Sequence, residues 1–117
     1  MTSLRDKVAI VGVGATVQGK LPGSSPLSLG VEAFKRALDD SGLRKGQIDG
    51  LLTMPGMTSP EGSLNYLVMG ETLGIDPQYT GSMTLGGGTC GALIQNAAMA
   101  IESGMADYVA CIFGDTS

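Results

Sequence analysis

Between Tyr79 and Gly104 the chain carries a single charge, Glu102. Inside that stretch, Thr89 to Ser103 reads as a helix with no polar face, since Leu93, Ile94, Ala97, Met99, Ala100 and Ile101 surround its axis. A helix that is apolar almost all round is stable only when other elements cover it on every side. The segment expected to follow as a strand, Asp107 to Phe113, is equally apolar, the pattern of a strand buried on both faces of a parallel sheet. This half of the sequence therefore demands a layered fold, and the chain supplies few elements for the outer layers. We expect the missing cover to come from another part of a longer protein or from another chain.

The upstream half alternates strand and helix. Lys7 to Gly14 is continuous, β-branched and closed by glycines, and predicts a buried strand. A loop rich in Gly, Ser and Pro follows from Ala15 to Pro26. Leu27, Val31, Phe34 and Leu38 then fall on one face of a helix, with Ser28 as an expected N-cap and Gly42 as the stop. The charged residues Glu32, Lys35, Arg36, Asp39 and Asp40 form its solvated face. Ile48 to Met54 predicts a second strand. Ser63 to Leu73 predicts a second helix, with Leu64, Leu67 and Val68 turned inward and Gly74 ending it. Tyr79 to Leu85 predicts a third strand, broken by Gly86-Gly87-Gly88. The order is β-α-β-α-β-α-β, an α/β fold with a largely parallel sheet.

Composition removes several classes of function. The 117 residues include 19 Gly, about twice the usual share of roughly 7%. The net charge is −4, which argues against a nucleic-acid partner. With no His, chemistry that needs an imidazole cannot be supplied by this chain. Two cysteines, Cys90 and Cys111, cannot make a four-thiolate zinc site, and no metal site is expected. Both read as reduced, mostly buried thiols of a cytoplasmic protein. No apolar run approaches the roughly 20 residues of a membrane helix, and no membrane association is expected.

Three motifs bear on chemistry. Gly14 to Lys20 matches the spacing of a phosphate-binding loop, but Leu21 stands where a hydroxyl should hold Mg²⁺, and Pro22 and Pro26 prevent a helix from starting at the lysine. Gly12 and Gly14 begin a dinucleotide fingerprint whose third glycine position is Val17. Gly86-Gly87-Gly88-Thr89-Cys90-Gly91 is the more informative one. Here a strand feeds directly into the apolar helix, and the free N–H groups at the helix start could stabilise an oxyanion or activate the Cys90 thiol. A plain packing cluster of glycines with a small cysteine would leave the same residues.

The stretch from Gly86 to Asp107 resembles the active-site helix of thiolases, in particular the sterol-carrier and lipid-transfer type of thiolase-like protein. Lys7 to Thr16, the Ala33 to Gly42 helix with its Asp-Ser-Gly ending, and Ile48-Asp49-Gly50 support the resemblance. It implies a thiolase-like fold, of which residues 1–117 would be an incomplete N-terminal βαβαβαβ portion with a buried central helix. It also implies a homodimer through Tyr79 to Leu85, a coenzyme A thioester as substrate and no bound cofactor. Thiolases use a cysteine at the helix start as acyl acceptor, which splits acyl transfer into two easier steps. Counting back from Ala97-Ala98 and Gly104 places that position on Gly87, and Cys90 falls three residues later, roughly 4.5 Å along a helix.

The leading expectation is a thiolase-like enzyme that cleaves or forms a C–C bond next to a thioester, of the acyl-CoA acyltransferase type, with Cys90 as candidate catalytic residue. Gly86, Gly87, Gly88 and Thr89 are the candidate substrate-binding residues. A triple-Gly start without the cysteine is similar to thiolase-like steroid side-chain retro-aldolases, which work with a small OB-fold partner and need no acyl-enzyme; in that version the base lies beyond this chain. A non-catalytic scaffold binding acyl-CoA or a partner chain is the remaining alternative. The 117 residues alone are expected not to be catalytically competent.

Overall fold

The computed structural model describes residues 6–19 and 23–116. Three helices and three strands form a three-layer α/β/α arrangement: α1 (Pro26–Ser41), β1 (Gly50–Pro55), α2 (Asn65–Leu73), β2 (Tyr79–Ser82), α3 (Thr89–Glu102) and β3 (Val109–Gly114). The sheet is parallel with order β2-β1-β3, and β1 is paired on both edges. From β1 to β2 the chain crosses through α2; from β2 back across to β3 it crosses through α3 on the other face. Reversing both the direction and the face keeps the crossover hand constant, as chirality requires.

Alternation along β1 divides the interior. Leu51, fully buried, joins Phe34, Ile48, Met69, Leu73 and Ile112 under α1 and α2. Leu52, 3% exposed, turns the other way to Leu93 and Ala97 of α3. Each buried leucine contributes about 2 kcal/mol. At the opposite end of the strands, the Asp49 carboxylate accepts from the Asp107 and Tyr108 N–H groups, at 3.0 and 2.8 Å, and ties the start of β1 to the approach of β3.

The α1 reading holds in its face and its stop. Phe34 is buried with Leu27, Val31 and Leu38 packed around it, and Gly42 closes the helix at φ 74°. The N-cap is Ser25 rather than Ser28. Ser28 sits at the third helical position, and the two serines exchange hydrogen bonds of 3.0 and 2.9 Å as a capping box, with Pro26 between them.

Two expectations are corrected. Lys7 to Gly14 is not a strand of the sheet and is not buried: Ile10, Val11 and Val13 are each more than half exposed. The segment lies along α1. A side chain at Gly12 would collide with the Ala37 carbonyl, and one at Gly14 with the Ala33 carbonyl, so the glycines let backbone meet backbone. The Val13 N–H donates to Asp40 Oδ2 at 2.9 Å instead of to a neighbouring strand. The second correction concerns α2, whose first turn is preceded by a 3₁₀ turn at Gly62–Leu64. Asn65, Met69, Gly70 and Leu73 face inward, and Leu64 and Leu67 are about half exposed.

Candidate functional site

In a parallel sheet all strands end on the same side, and the crevice outside those ends is where α/β proteins bind ligands. Three segments converge there: the loop after β1, the glycine run between β2 and α3, and the residues after β3. Gly86 adopts φ 74°, a left-handed conformation that turns the chain from strand into helix. Gly88 is the N-cap of α3 and brings no side chain to the cap. The Thr89 and Ala92 N–H groups find acceptors in the Gly86 and Gly88 carbonyls, at 3.2 and 3.1 Å. Those of Cys90 and Gly91, at the second and third helical positions, have no acceptor within the helix and point out of its end. Gly86, Gly87 and Gly88 are exposed, and a Cβ added at any of them meets nothing within 4 Å.

The candidate residues separate into two groups. Gly86, Gly87 and Gly88 form the open floor, with Cys90 exposed beside them in the first turn. Thr89 lies beneath that floor. It is fully buried, and its hydroxyl accepts from the Leu85 N–H and donates to the Gly86 carbonyl, both at 2.7 Å. Thr89 therefore faces the loop's own backbone, not the open side.

Two polar clusters at the same end of the sheet had no place in the sequence reading. After β3, Asp115 Oδ1 accepts from the Thr58 hydroxyl at 2.6 Å and the Thr58 N–H at 3.1 Å, which joins the loop after β1 to the end of β3. A carboxylate one residue past an apolar parallel strand was the available signal. Beside it, Thr53 and Ser82 share a hydroxyl hydrogen bond of 2.8 Å, Ser82 Oγ accepts from the Tyr66 N–H, and the buried Asn65 donates to Glu61 Oε1 at 2.6 Å.

The cysteines are not buried as expected: both are exposed free thiols. Cys111 pairs in register with Leu52, and alternation turns it toward the α3 face. It is open on one side, yet the protein around the sulfur disfavours the thiolate and pushes the thiol up to about 11 from 9.0, with the charge of a Cys90 thiolate adding to the rise. Nor is α3 covered all round. Leu93, Ala97 and Ala100 are buried, whereas Ile94 and Met99 are about half exposed. Between α3 and β2 runs an open apolar groove lined by Tyr79, Met83, Leu85, Asn96, Met99 and Met105, crossed by a hydrogen bond from the Tyr79 hydroxyl to Asn96. Lys20, the lysine of the phosphate-loop spacing, lies outside the described residues, and Gly12 and Gly14 of the discarded dinucleotide motif serve packing on α1. No helix among the described residues is long and apolar enough to cross a membrane.

A helix start stripped of side chains thus lies at the carboxyl ends of a parallel sheet and leads into a half-covered apolar helix, and comparison with solved structures identifies the fold. An acetyl-CoA acetyltransferase from Syntrophomonas wolfei superposes with a TM-score of 0.69 at 18% identity, over 87% of this chain and 27% of that one. The chain is thiolase-like in fold, and its sequence is similar to steroid side-chain aldolases and lyases. It is 36% identical over 112 residues to a steroid side-chain-cleaving aldolase of Thermomonospora curvata, covering 95% of this chain and 27% of the relative. It is 38% identical over 107 residues to the 17-hydroxy-3-oxo-4-pregnene-20-carboxyl-CoA lyase of Mycobacterium tuberculosis, covering 91% of this chain and 26% of the relative. A structure named Ltp2-ChsH2(DUF35) aldolase matches with a TM-score of 0.73 at 34% identity, over 88% of this chain and 26% of that one. The chain thus spans about a quarter of the length of these relatives. No family model matches it.

Proposed function

We propose that this chain is the N-terminal portion of a thiolase-like enzyme that holds a coenzyme A thioester against the start of α3 and breaks, or in reverse forms, the bond between the α and β carbons of its acyl group. The observation that carries the reading is the exposed Gly86–Gly88 floor with outward-pointing N–H groups behind it. In an aldol-type cleavage, a base removes the proton of a β-hydroxyl, the C–C bond breaks, and its electron pair moves onto the thioester carbonyl as an enolate. Backbone N–H groups and the positive end of α3 suit that developing negative charge. This chain has no His, and we place the base in the remainder of the enzyme.

Of the two versions of this chemistry, the aldol type is favoured by the names of the relatives and by Gly87 at the position where thiolases carry their nucleophile. The acyl-transfer version keeps one supporting observation, the exposure of Cys90 in the first helical turn. The full-length protein separates them. Under the aldol reading, Cys90→Ser and alkylation of both thiols leave turnover of a β-hydroxyacyl-CoA in place, and no acylated protein accumulates. Loss of turnover in Cys90→Ser, with an acyl adduct on the wild type, would select acyl transfer. Binding of acyl-CoA with no turnover of any substrate would select the scaffold.

A homodimer through Tyr79 to Leu85 belongs to the same reading. β2 is the edge of the sheet, and the apolar groove runs beside it. A small OB-fold partner is the second proposed contact, supported by the two components named in the Ltp2-ChsH2(DUF35) aldolase. A cytoplasmic setting fits free thiols and a coenzyme A thioester.

A further inference from the structure

We propose that the Thr89 hydroxyl is the positioning group of the glycine floor: it fixes Leu85 and Gly86 so that the start of α3 faces the thioester, and it does not itself touch substrate. The proposal rests on the reading of the floor given above and revises the expectation that Thr89 binds substrate.

Packing cannot hold this loop in place. Gly86, Gly87 and Gly88 have no side chains, a Cβ at any of them would meet nothing within 4 Å, and Leu85 is 66% exposed. Hydrogen bonds must do it, and two of them pass through one atom. Thr89 Oγ1 accepts from the Leu85 N–H and donates to the Gly86 carbonyl, each at 2.7 Å, and the Thr89 N–H adds a third bond to the same carbonyl at 3.2 Å. These bonds close a ring around the one residue of the run that is left-handed, Gly86 at φ 74°. Thr89 is itself immovable: its side chain is fully buried, and its branched Cβ restricts χ1. A hydroxyl on a rigid stem thus specifies where a floor without side chains must lie. Removing it strands the Leu85 N–H and releases the turn, although nothing in the crevice has changed chemically.

Thr89→Val keeps the shape and removes the hydroxyl; Thr89→Ser keeps the hydroxyl and removes the methyl. In the full-length protein, Thr89→Val should lower kcat by about 100-fold, the cost of misplacing reacting groups by about 1 Å, with a smaller change in KM. Thr89→Ser should recover most of that loss. Amide hydrogen exchange supplies a readout that needs no substrate: the Leu85 N–H should exchange at least about tenfold faster in Thr89→Val, with β1 and α1 unaltered. If Thr89→Val fails to fold, Thr89→Ala against Thr89→Ser makes the same comparison. Unchanged Leu85 exchange in Thr89→Val, or a Thr89→Ser variant as impaired as Thr89→Val, overturns the proposal. A wild type that turns over no acyl-CoA overturns the functional reading instead, and the exchange comparison still decides whether Thr89 holds the loop.

Discussion

The two faces of the sheet are built to different standards. Under α1 and α2, Phe34, Ile48, Leu51, Met69, Leu73 and Ile112 enclose one another, and partly buried neighbours such as Leu27, Val31 and Leu38 seal the edges. Under α3 the buried cluster is smaller, Leu52, Leu93 and Ala97 with Met54, Tyr79, Met83 and Val109 partly buried against it, and the far side of the helix leaves Ile94 and Met99 in the open. Composition does not explain the contrast, since α3 is the more apolar helix. The charged face of α1 shows that its outer side is meant for water; α3 has no such side. One face of the sheet is finished by this chain, and the other presents a surface suited to further protein, with the glycine floor at its tip.

Substitutions can break that comparison. The largest effect is expected at the closed face: Leu51→Ala should cost about 2–5 kcal/mol in urea unfolding of the full-length protein, because the cavity it leaves has no room to collapse. Ile94→Ala is the sharper test. A side chain left in water costs within about 0.5 kcal/mol, whereas we expect about 2 kcal/mol in the full-length protein, as for a residue covered on assembly. A value near zero would mean that α3 is an outer helix after all. Ser25→Ala should cost about 1 kcal/mol by opening the capping box of α1, and thermal unfolding will register it. The smallest effect concerns pH. Folding raises the Cys111 thiol from 9.0 to about 11, so the folded state holds a proton that the unfolded chain releases. The stabilisation from its neutral form is whole below pH 9 and falls as pH rises through about 11. Unfolding of wild type against Cys111→Ser across that window isolates it, and Cys111 should alkylate more slowly than Cys90 at pH 8.

Where a residue's own chemistry decides its conformation, the sequence reading and the structure agree. Gly42 and Gly74 end their helices at φ 74° and 71°, and the face of α1 follows from spacing alone. The start of α3 was visible because three consecutive glycines after a strand have few other uses. The misreadings come from partners that local pattern does not encode. Lys7 to Gly14 has the composition of a strand, but a strand exists only where another strand receives its N–H groups, and here Gly12 and Gly14 place it on α1 instead. The α2 face differs from the expected one because apolar residues stand on more than one side of this helix and the inward side includes Asn65 and Gly70, which an apolar pattern does not select. At the site, the floor was legible, but the Thr58–Asp115 bond joins positions far apart in the chain and could be seen only in the fold.

The strand order also has a consequence for how the chain is made. Among the described residues β1 is the first strand in the chain and the middle one of the three-stranded sheet. Its partner on one edge begins at Tyr79; its partner on the other begins at Val109, about twice as far along the chain. The extra loop closure is cheap, about 0.6 kcal/mol for each doubling of length. The delay is longer-lived, because at about 5–20 residues per second β1 waits some seconds for its second neighbour. During that interval Leu51 and Leu52, which face opposite layers in the native state, sit on a strand with an open hydrogen-bonding edge. Dependence on chaperones during synthesis should therefore be set by the Leu51–Leu52 pair, and slowing translation between Ser82 and Val109 should raise the aggregated fraction.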